Sequence, residues 1–520
     1  MSLARDITTV GSATLLSRLL GFLRDMGIAA ALGAGVLSDA FFAALQIPNL
    51  FRRLLAEGAL NSAFVPMWLR IKDESGRAGA LRFGEGVLGA LILALGAAAV
   101  LCILLAPTVV HMLAPGFRIP GERFPLAAEY LQLSVPYVVV AGLVAVVAAT
   151  LNAEGHVAAA AFGLVIFNGV MVGAVVLILL LEVGATPRAG AILSATIVVA
   201  GFCQFVLIAL ALWRLHASLL IPRVSNSPDT RRFFAQVVPG IVAGGIPQLK
   251  LMAGVMVASS SPAAVSWLYY ANRLYELPLG VVSIAIASVM VPVIALSVRT
   301  GDHEATANAQ SRTFEIALGL SLPAAVAFAL LADSIAGGLF QRGAFGPRDT
   351  AAVAAALAAI CAGLPGHTLE KVLGAVSFAR EDTRTPMLAA LAGLAAAVAG
   401  SLALFPSYGH VGVAAAIGIS GWVGATLLGV VLWRRGWLRL DHDATRRLPR
   451  IIAATMAMGI AIFGVREVLA SPFNAGGSQL ARIAALALLV VIGLAVYLAS
   501  LELLGVARMR DLVRAVRYRL

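Results

Sequence analysis

The chain has 520 residues, of which 60% are hydrophobic and only 12% are charged, and its mean hydropathy is +0.94. A soluble protein of this length could not bury so much apolar surface, so the composition excludes a soluble globular protein and indicates a polytopic membrane protein. The net charge of +12 would indicate a nucleic-acid partner in a soluble chain, but the basic residues described below follow membrane topology instead.

Apolar segments of spanning length recur along the whole chain, and we count about fourteen of them. Short polar links separate these segments and leave no room for a soluble domain. The segments are continuous apolar runs, which excludes the alternating strands of a membrane β-barrel and predicts an all-α polytopic membrane protein. The predicted segments lie near 8–31, 36–68, 83–106, 126–151, 158–181, 189–213, 232–258, 263–297, 313–331, 351–378, 386–405, 411–433, 451–470 and 481–504.

Lysine and arginine residues in the links lie mostly on one side of the predicted membrane. If the N-terminus is cytoplasmic, 24 of them fall on the cytoplasmic side and 7 on the other side. Because cytoplasmic loops of membrane proteins are enriched in Lys and Arg, this asymmetry predicts that both termini are cytoplasmic and that the number of spans is even. The basic character therefore reflects topology, and no nucleic-acid partner is predicted.

The first segment carries charged residues inside its apolar run, namely Arg18, Arg24 and Asp25. Arg18 and Asp25 are seven residues apart and share a helical face, whereas Arg24 lies on another side unless the helix bends. Arginine stays charged in a protein, and a charge at the bilayer centre costs about 3 kcal/mol or more. Snorkelling to the interface is the alternative, and it explains Arg24 poorly because of its depth. Both arginines are therefore candidates to line a polar cavity.

The second segment holds the charges around which the rest of the chain is arranged. Arg53 and Glu57 are four residues apart and can pair along a helix, whereas Arg52 has no carboxylate three or four residues away. We therefore expect Arg52 to face an aqueous, cationic cavity that holds an anion.

The same segment also carries polar residues at its outer end and near its middle. Asp39 fits a carboxylate in the first turn of a helix and a gating residue equally well. Pro48 and Asn49 predict a bend in mid-membrane, where proline removes a backbone donor. Segments three to six are rich in Ala, Val, Leu and Gly and are interpreted as scaffold.

Charged residues occur again inside the seventh and eighth segments. Gly244, Gly245 and Pro247 predict a broken or flexible seventh helix, and Lys250 is a further candidate for a buried cation. In the eighth segment Arg273 and Glu276 are three residues apart and can pair.

A faint internal repeat accompanies this distribution of charge. The run FFAALQIP at 41–48 is similar to YYANRLYELP at 269–278, and intramembrane charge is concentrated in segments one, two, seven and eight. This predicts two pseudo-symmetric six-helix lobes around a central cavity, the N-lobe at 1–217 and the C-lobe at 218–440. Two further helices and a basic tail occupy 441–520, and these helices could form a groove for a lipid tail or serve in packing or dimerisation.

The charges predicted at depth do not cancel, since six are positive and three are negative. A net charge of about +3 in the membrane is costly without a counter-ion, and an anionic headgroup would supply one. Bidentate arginine geometry suits phosphate and carboxylate. The candidate cavity residues are Arg18, Arg24, Asp25, Asp39, Asn49, Arg52, Arg53, Glu57, Lys250, Asn272, Arg273 and Glu276.

Residues for catalysis or metal binding do not form a pattern. Cys102, Cys203 and Cys361 lie singly in apolar segments, and His111 and His156 have no second histidine at metal spacing. No nucleophile–base pair is present either. The sequence therefore predicts no cofactor, no metal site and no enzymatic activity.

Several motifs carry a resemblance to a known family. They are SRLLGFLRD at 17–25, NRLYELPLGV at 272–281, LFQRGAF at 339–345, YGHVGVAAA at 408–416, and the spaced residues Asn49, Arg52, Glu57, Gly58 and Pro66. Together they resemble the MurJ/MviN lipid II flippase family of the multidrug/oligosaccharidyl-lipid/polysaccharide exporter superfamily, over the whole chain.

The resemblance implies a transporter in the bacterial inner membrane that carries lipid II, the undecaprenyl-pyrophosphate-linked peptidoglycan precursor, from the inner to the outer leaflet by alternating access. It implies a central cationic cavity formed by helices 1, 2, 7 and 8, and a lipid-tail groove formed by the last two helices. Lipid II, membrane lipids and peptidoglycan synthesis proteins are the partners it implies. The family's required arginines match Arg18, Arg24, Arg52 and Arg273, and its acidic positions match Asp39 and Glu57.

One position departs from the family pattern. Many relatives carry Asp just before the arginine of helix 8, where this chain has Asn272, which makes the cavity more positive. Segments eleven and twelve have no interior carboxylate, so no cation-coupling site is predicted there. Two alternatives remain at this point: an exporter of drugs or other lipid-linked oligosaccharides on the same architecture, and a non-transporting scaffold for cell-envelope assembly.

Overall fold

Helices make up all the regular secondary structure in the described part of the chain. The computed structural model describes residues 3–56, 59–118, 121–216, 221–225, 227–286, 291–300, 302–468 and 479–506, and every element in these ranges is helical. A backbone in lipid must satisfy its hydrogen bonds within one segment, which favours helices in so apolar a chain. The predicted all-α class is confirmed.

In the first half of the chain, the described residues form nine α-helices and one short 3₁₀ turn. The helices are α1 (Leu3–Leu32), α2 (Val36–Ala56), α3 (Ala59–Leu104), α4 (Ala106–Leu113), α5 (Arg123–Ser134), α6 (Tyr137–Ala153), α7 (Val157–Leu180), α8 (Pro187–His216) and α9 (Pro228–Ala258), and the 3₁₀ turn is Pro115–Arg118.

Nine further helices in the described ranges follow. They are α10 (Ala264–Ala285), α11 (Val291–Thr300), α12 (His303–Leu330), α13 (Ala332–Phe340), α14 (Pro347–Cys361), α15 (Leu364–Phe378), α16 (Arg384–Arg434), α17 (His442–Val468) and α18 (Gln479–Leu503).

Two of these elements each join two predicted segments across a glycine. Gly76 in α3 has φ 67° and Gly409 in α16 has φ 54°, a backbone conformation that glycine adopts without steric cost. Within the described residues, nine helical stretches are long and apolar enough to cross a membrane, and some contain more than one predicted segment. The polytopic character agrees with the sequence, and the count of about fourteen spans stays a prediction.

The predicted break in the seventh segment is wrong. The backbone of α9 is helical without interruption from Pro228 to Ala258, through the Gly- and Pro-containing stretch. A proline removes one hydrogen bond, and such a loss is tolerated where neighbouring helices support the backbone. Here α9 packs against α2 and α3. Helix α2 also continues through Pro48, and the bend predicted there stays a prediction.

The chain divides into two compact units. Unit 1 comprises Met1–Ser266 together with the short segment Arg342–Gly346, and unit 2 comprises Trp267–Gln341 and Pro347–Leu520. The lobe boundary predicted at 217/218 and the separate C-terminal region 441–520 stay predictions.

Each unit has its own apolar core. In unit 1, stacked and edge-on rings of Phe64, Trp68, Phe83 and Phe233 join α3 to α9, and side chains of α6 and α8 complete the cluster. In unit 2 the core joins α10, α11, α12, α15 and α16, while α17 packs on α12 and α18. These cores fix the helices that carry the candidate polar residues.

Candidate functional site

Arg24 is held in one orientation by two side chains of unit 1. Its Nε and Nη2 donate to Oδ1 of Asp25 at 3.0 and 2.8 Å, and its Nη1 donates to Oδ1 of Asn168 at 3.1 Å. Asp25 is fully buried, whereas 17% of the Arg24 side chain stays exposed. The guanidinium is therefore both fixed and accessible.

Asn168 of α7 is itself fixed by α1. Its Nδ2 lies within hydrogen-bond distance of the carbonyl and hydroxyl oxygens of Ser17, both at 3.2 Å, and of the Leu164 carbonyl at 3.1 Å. The amide thus joins α7 to α1 and presents its oxygen to Arg24. We refer to Arg24, Asp25 and Asn168 as the Arg24 clamp.

Two contacts of the Arg24 clamp were not predicted from the sequence. Helical spacing placed Asp25 on the face of Arg18 and put Arg24 on another side, but Arg24 pairs with Asp25, because the long arginine side chain reaches the neighbouring position. The interpretation of segments three to six as scaffold did not single out Asn168 of α7, which contacts Arg24. Asn168 is the one polar side chain of that helix, a signal that could have identified it.

Arg18 lies on α1 with its side chain exposed. No hydrogen-bond or ion-pair partner of Arg18 occurs in the residues that the structure describes. Asp25 therefore pairs with Arg24 and not with Arg18, although the spacing places Arg18 and Asp25 on the same helical face.

The candidates on α2 and α9 are partly or fully buried. Asn49, Arg52 and Arg53 are half-buried, and Lys250 is buried. Arg52, Arg53 and Lys250 each have an interaction partner in the protein. Glu57 lies outside the described residues, so its predicted pairing with Arg53 stays a prediction.

Asp39 is completely buried at the beginning of α2. Its Oδ1 accepts from the backbone N–H of Ser266 at 2.9 Å and from the Ser266 hydroxyl at 2.6 Å, and its Oδ2 accepts from the N–H of Ala263 at 2.8 Å. Arg123 of α5 approaches the same Oδ2 at 3.4 Å. The carboxylate therefore satisfies the free amides where α10 begins, which is favourable at a helix N-terminus.

Arg123 secures the loop before α10 as well. Its Nη1 donates to the carbonyl oxygens of Ser259 and Ser261 at 3.1 and 3.3 Å, and its guanidinium stacks on Phe117. Asp39 lies in the first turn of α2, as one of its two readings predicts, and it also accepts hydrogen bonds from the amides where α10 begins. Its gating role stays a prediction. Sequence reasoning missed Arg123, which it counted only as a basic residue of an external link.

In unit 2 the polar residues of α10 interact along one side of the helix. Nη1 of Arg273 lies 3.7 Å from Oε2 of Glu276, as the spacing predicts, and Nδ2 of Asn272 donates to Oε1 of Glu276 at 3.3 Å. Asn272 therefore supports the carboxylate that pairs with Arg273, a contact that an aspartate at this position could not donate.

Two residues of α15 also reach α10. His367 Nδ1 lies 2.8 Å from the Tyr275 hydroxyl and 3.1 Å from the Gly363 carbonyl. Lys371 Nζ donates to the Ser283 hydroxyl at 2.6 Å. The contact of Lys371 with α10 was not predicted from the sequence.

These clusters are suited to binding an anion and not to holding a metal. Guanidinium groups on α1 and α10 are oriented by neighbouring amides and carboxylates, as phosphate recognition requires. Among the residues described, no group of three or more His, Cys, Asp or Glu side chains could hold a metal ion.

The fold is that of a helical membrane transporter. A multidrug resistance MATE family transporter of the MOP superfamily, in an inward-facing conformation, matches with a TM-score of 0.62 at 16% identity, over 80% of this chain and 94% of that one. A lipid II flippase MurJ, in an inward closed conformation, matches with a TM-score of 0.80 at 21% identity, over 97% of this chain and 99% of that one.

Sequence comparisons identify the family. The model of the family described as lipid II flippase MurJ matches residues 28–484. A probable lipid II flippase MurJ of Rhizobium tropici is 37% identical over 97% of this chain and 95% of its own, and the lipid II flippase MurJ of Burkholderia cenocepacia is 30% identical over 97% and 98%. The chain belongs to the lipid II flippase MurJ family.

Proposed function

We propose that this protein is a lipid II flippase that moves undecaprenyl-pyrophosphate-linked peptidoglycan precursor from the inner to the outer leaflet by alternating access. Membership of the MurJ family and relatives named for this activity support the proposal. The protein then acts as a transporter rather than as an enzyme. A drug exporter and a non-transporting scaffold are not favoured by this family membership.

The Arg24 clamp is the observation that carries the proposal at the level of residues. A guanidinium that is fixed by Asp25 and Asn168 and still partly exposed can present its remaining donors to a pyrophosphate without first losing its own conformational entropy. The other proposed headgroup residues are Arg18, Asp39, Asn49, Arg52, Arg53, Glu57, Lys250, Asn272, Arg273 and Glu276.

The charge of the substrate also suits the direction of transport. A pyrophosphate bridge and peptide carboxylates provide the negative charge that the arginines attract. In an inside-negative membrane, outward movement of an anion is favoured by about 2.3 kcal/mol per charge per 100 mV if the whole potential is crossed. The membrane potential alone could therefore drive net export of the headgroup.

The proposed location is the bacterial inner membrane, with both termini in the cytoplasm. The excess of Lys and Arg in the links assigned to the cytoplasmic side supports this orientation. Lipid II and the surrounding lipids are the proposed partners, together with proteins of peptidoglycan synthesis.

Complementation tests the proposal directly. Wild-type protein should support growth of a bacterial strain depleted of its own lipid II flippase, whereas Arg24→Ala should not, at equal membrane levels by immunoblot. Arg188→Ala is the matched control, because Arg188 is exposed at the start of α8. Normal growth with Arg24→Ala would argue against the proposed role of Arg24.

Reconstitution tests the transport step itself. Purified protein in proteoliposomes that contain labelled lipid II should move the headgroup across the bilayer, faster with an imposed potential that favours anion movement in that direction. Failure of the wild-type protein to move the headgroup under either condition, alongside active reconstituted relatives, would contradict the flippase assignment.

A further inference from the structure

Unit 2 contains a cavity that is separate from the proposed headgroup residues. Its volume is about 200 Å³, and it lies between the first turns of α12, the turn after α15 and the segment after α16. The residues that line it include His303, Thr306, Gln310, Arg380, Trp437 and Arg439.

The wall formed by residues 437–441 is fastened to α12 by a buried amide. Gln310 is fully buried, and its Nε2 donates to the Trp437 carbonyl at 2.9 Å while its Oε1 accepts from the N–H of Arg439 at 3.0 Å. The N–H of Asp441 donates to the Ser311 hydroxyl at 2.8 Å. Because these contacts hold the backbone on both sides of Arg439, the cavity is formed before any ligand arrives.

Two arginines flank the ring of Trp437, and a carboxylate among the described residues neutralises one of them. The guanidinium carbons of Arg380 and Arg435 lie 5.4 and 5.0 Å from the ring centroid, within cation–π distance. Nη1 of Arg435 also lies 2.6 Å from Oδ2 of Asp382. Arg380 donates to the Val376 carbonyl at 3.1 Å and is held against the ring without a carboxylate.

The cavity therefore carries positive charge that the described residues do not compensate with an ion pair. Within the described ranges, neither Arg380 nor Arg439 forms an ion pair, and no Asp or Glu side chain belongs to the cavity lining. Partial burial lowers the pKa of Arg380, but an arginine remains protonated in a protein. An anion that reaches both guanidiniums would relieve this charge.

The cavity lies where candidate membrane spans begin and end. The spans His303–Leu330, Pro347–Phe378 and Arg384–Arg434 each have one end within a few residues of the lining. Phe378 and Trp433, at two of these ends, are exposed, and aromatic side chains are enriched at the boundary between membrane and water. Phosphate groups of lipids occupy this depth.

We propose that this cavity binds a phosphate group through Arg380 and Arg439. Guanidinium groups form charge-assisted hydrogen bonds with phosphate oxygens, and the Thr306 hydroxyl lies in the same lining. At about 30 Å³ of liquid volume per water molecule, the cavity has room for a phosphate with a small attached group. The phosphate belongs either to an anionic phospholipid or to a soluble phosphate compound.

Thermal unfolding of the purified full-length protein tests the proposal and distinguishes the two sources. One series adds phosphatidylglycerol to protein in neutral detergent, a second adds inorganic phosphate, and phosphatidylcholine and chloride at equal ionic strength are the blanks. A rise in the midpoint with phosphatidylglycerol alone identifies a lipid headgroup, and a rise with inorganic phosphate as well identifies a site open to soluble phosphate.

Variants connect the midpoint shift with this cavity. Arg380→Gln combined with Arg439→Gln should weaken the apparent affinity by about tenfold per guanidinium removed, whereas Arg434→Gln removes an exposed charge nearby and should leave the affinity unchanged. If the double variant does not fold, Arg439→Gln alone serves, because its side chain is exposed. A wild-type protein that does not respond to either compound, or equal affinities in the wild type and the arginine variants, would overturn the proposal.

Discussion

The Arg24 clamp leads to a quantitative prediction for Asn168→Ala. The substitution removes the amide oxygen that lies 3.1 Å from Nη1 of Arg24 and the contacts from Nδ2 to α1. Asp25 still neutralises Arg24, so the charge remains while one of the two side chains that orient the guanidinium is lost. A hydrogen bond to a charged group contributes about 1.5–3 kcal/mol.

This free energy corresponds to a loss of about tenfold to a hundredfold in headgroup translocation, since each 1.4 kcal/mol is a factor of ten. The assay is the initial rate of lipid II headgroup movement in proteoliposomes, at equal protein incorporation. Asn152→Ala is the matched control, because it removes the amide of another half-buried asparagine of unit 1, which donates to Asn61 at 3.3 Å.

A double-mutant cycle distinguishes loss of the Arg24 orientation from general loss of folded protein. Arg24→Ala should abolish transport, and adding Asn168→Ala to it should have little further effect, because the amide acts through the guanidinium. Full activity of Asn168→Ala beside an inactive Arg24→Ala would refute the reasoning, since the orientation of Arg24 would then not depend on α7.

Three further predictions concern contacts within single units. Gly116→Ala should sharply lower the yield of folded protein, because a Cβ there would lie 2.3 Å from a backbone nitrogen of the loop after α9. The yield is measured by size-exclusion chromatography of detergent-solubilised membranes, and a wild-type yield would contradict the close approach. Asp39→Asn should lower the thermal midpoint, since it breaks a buried ion pair with Arg123, and Arg123→Gln added to it should have a less than additive effect. The pKa of Asp382 is lowered by hydrogen bonds from the side chain and backbone of Thr385 and by the pairing with Arg435. The ionised carboxylate therefore stabilises the fold above the ordinary pKa of aspartate, and this stabilisation disappears as the pH falls through the lowered pKa. Asp382→Asn should therefore lower the midpoint at pH 7 and converge with wild type under strongly acidic conditions, and a pH-independent difference would contradict this origin.

Much of the architecture could be predicted from residues that act locally. Apolar length decides that a segment spans a membrane as a helix, because each segment satisfies its own backbone hydrogen bonds. The pairing of Arg273 with Glu276 follows from helical spacing alone. Motifs such as SRLLGFLRD were sufficient to indicate the family, to which the chain belongs.

Contacts between distant parts of the chain could not be predicted in the same way. Asn168 is 144 residues from Arg24, and Ser266 is 227 residues from Asp39. Helical periodicity shows which side of a helix a residue occupies, but not which helix packs there. Asn168 of α7 therefore drew no prediction, and Asp39 of α2 kept two readings, until their partners were known.

The sequence by itself determined that this protein is an all-helical membrane protein of the MurJ family, because hydropathy and the family motifs are properties of single segments. The tertiary structure decided that Arg24 pairs with Asp25 and is oriented by Asn168 of α7. It also decided that Asp39 accepts hydrogen bonds from the amides where α10 begins. It also formed the basic cavity beside Trp437. These features depend on packing between helices, which brings together groups that no local pattern relates.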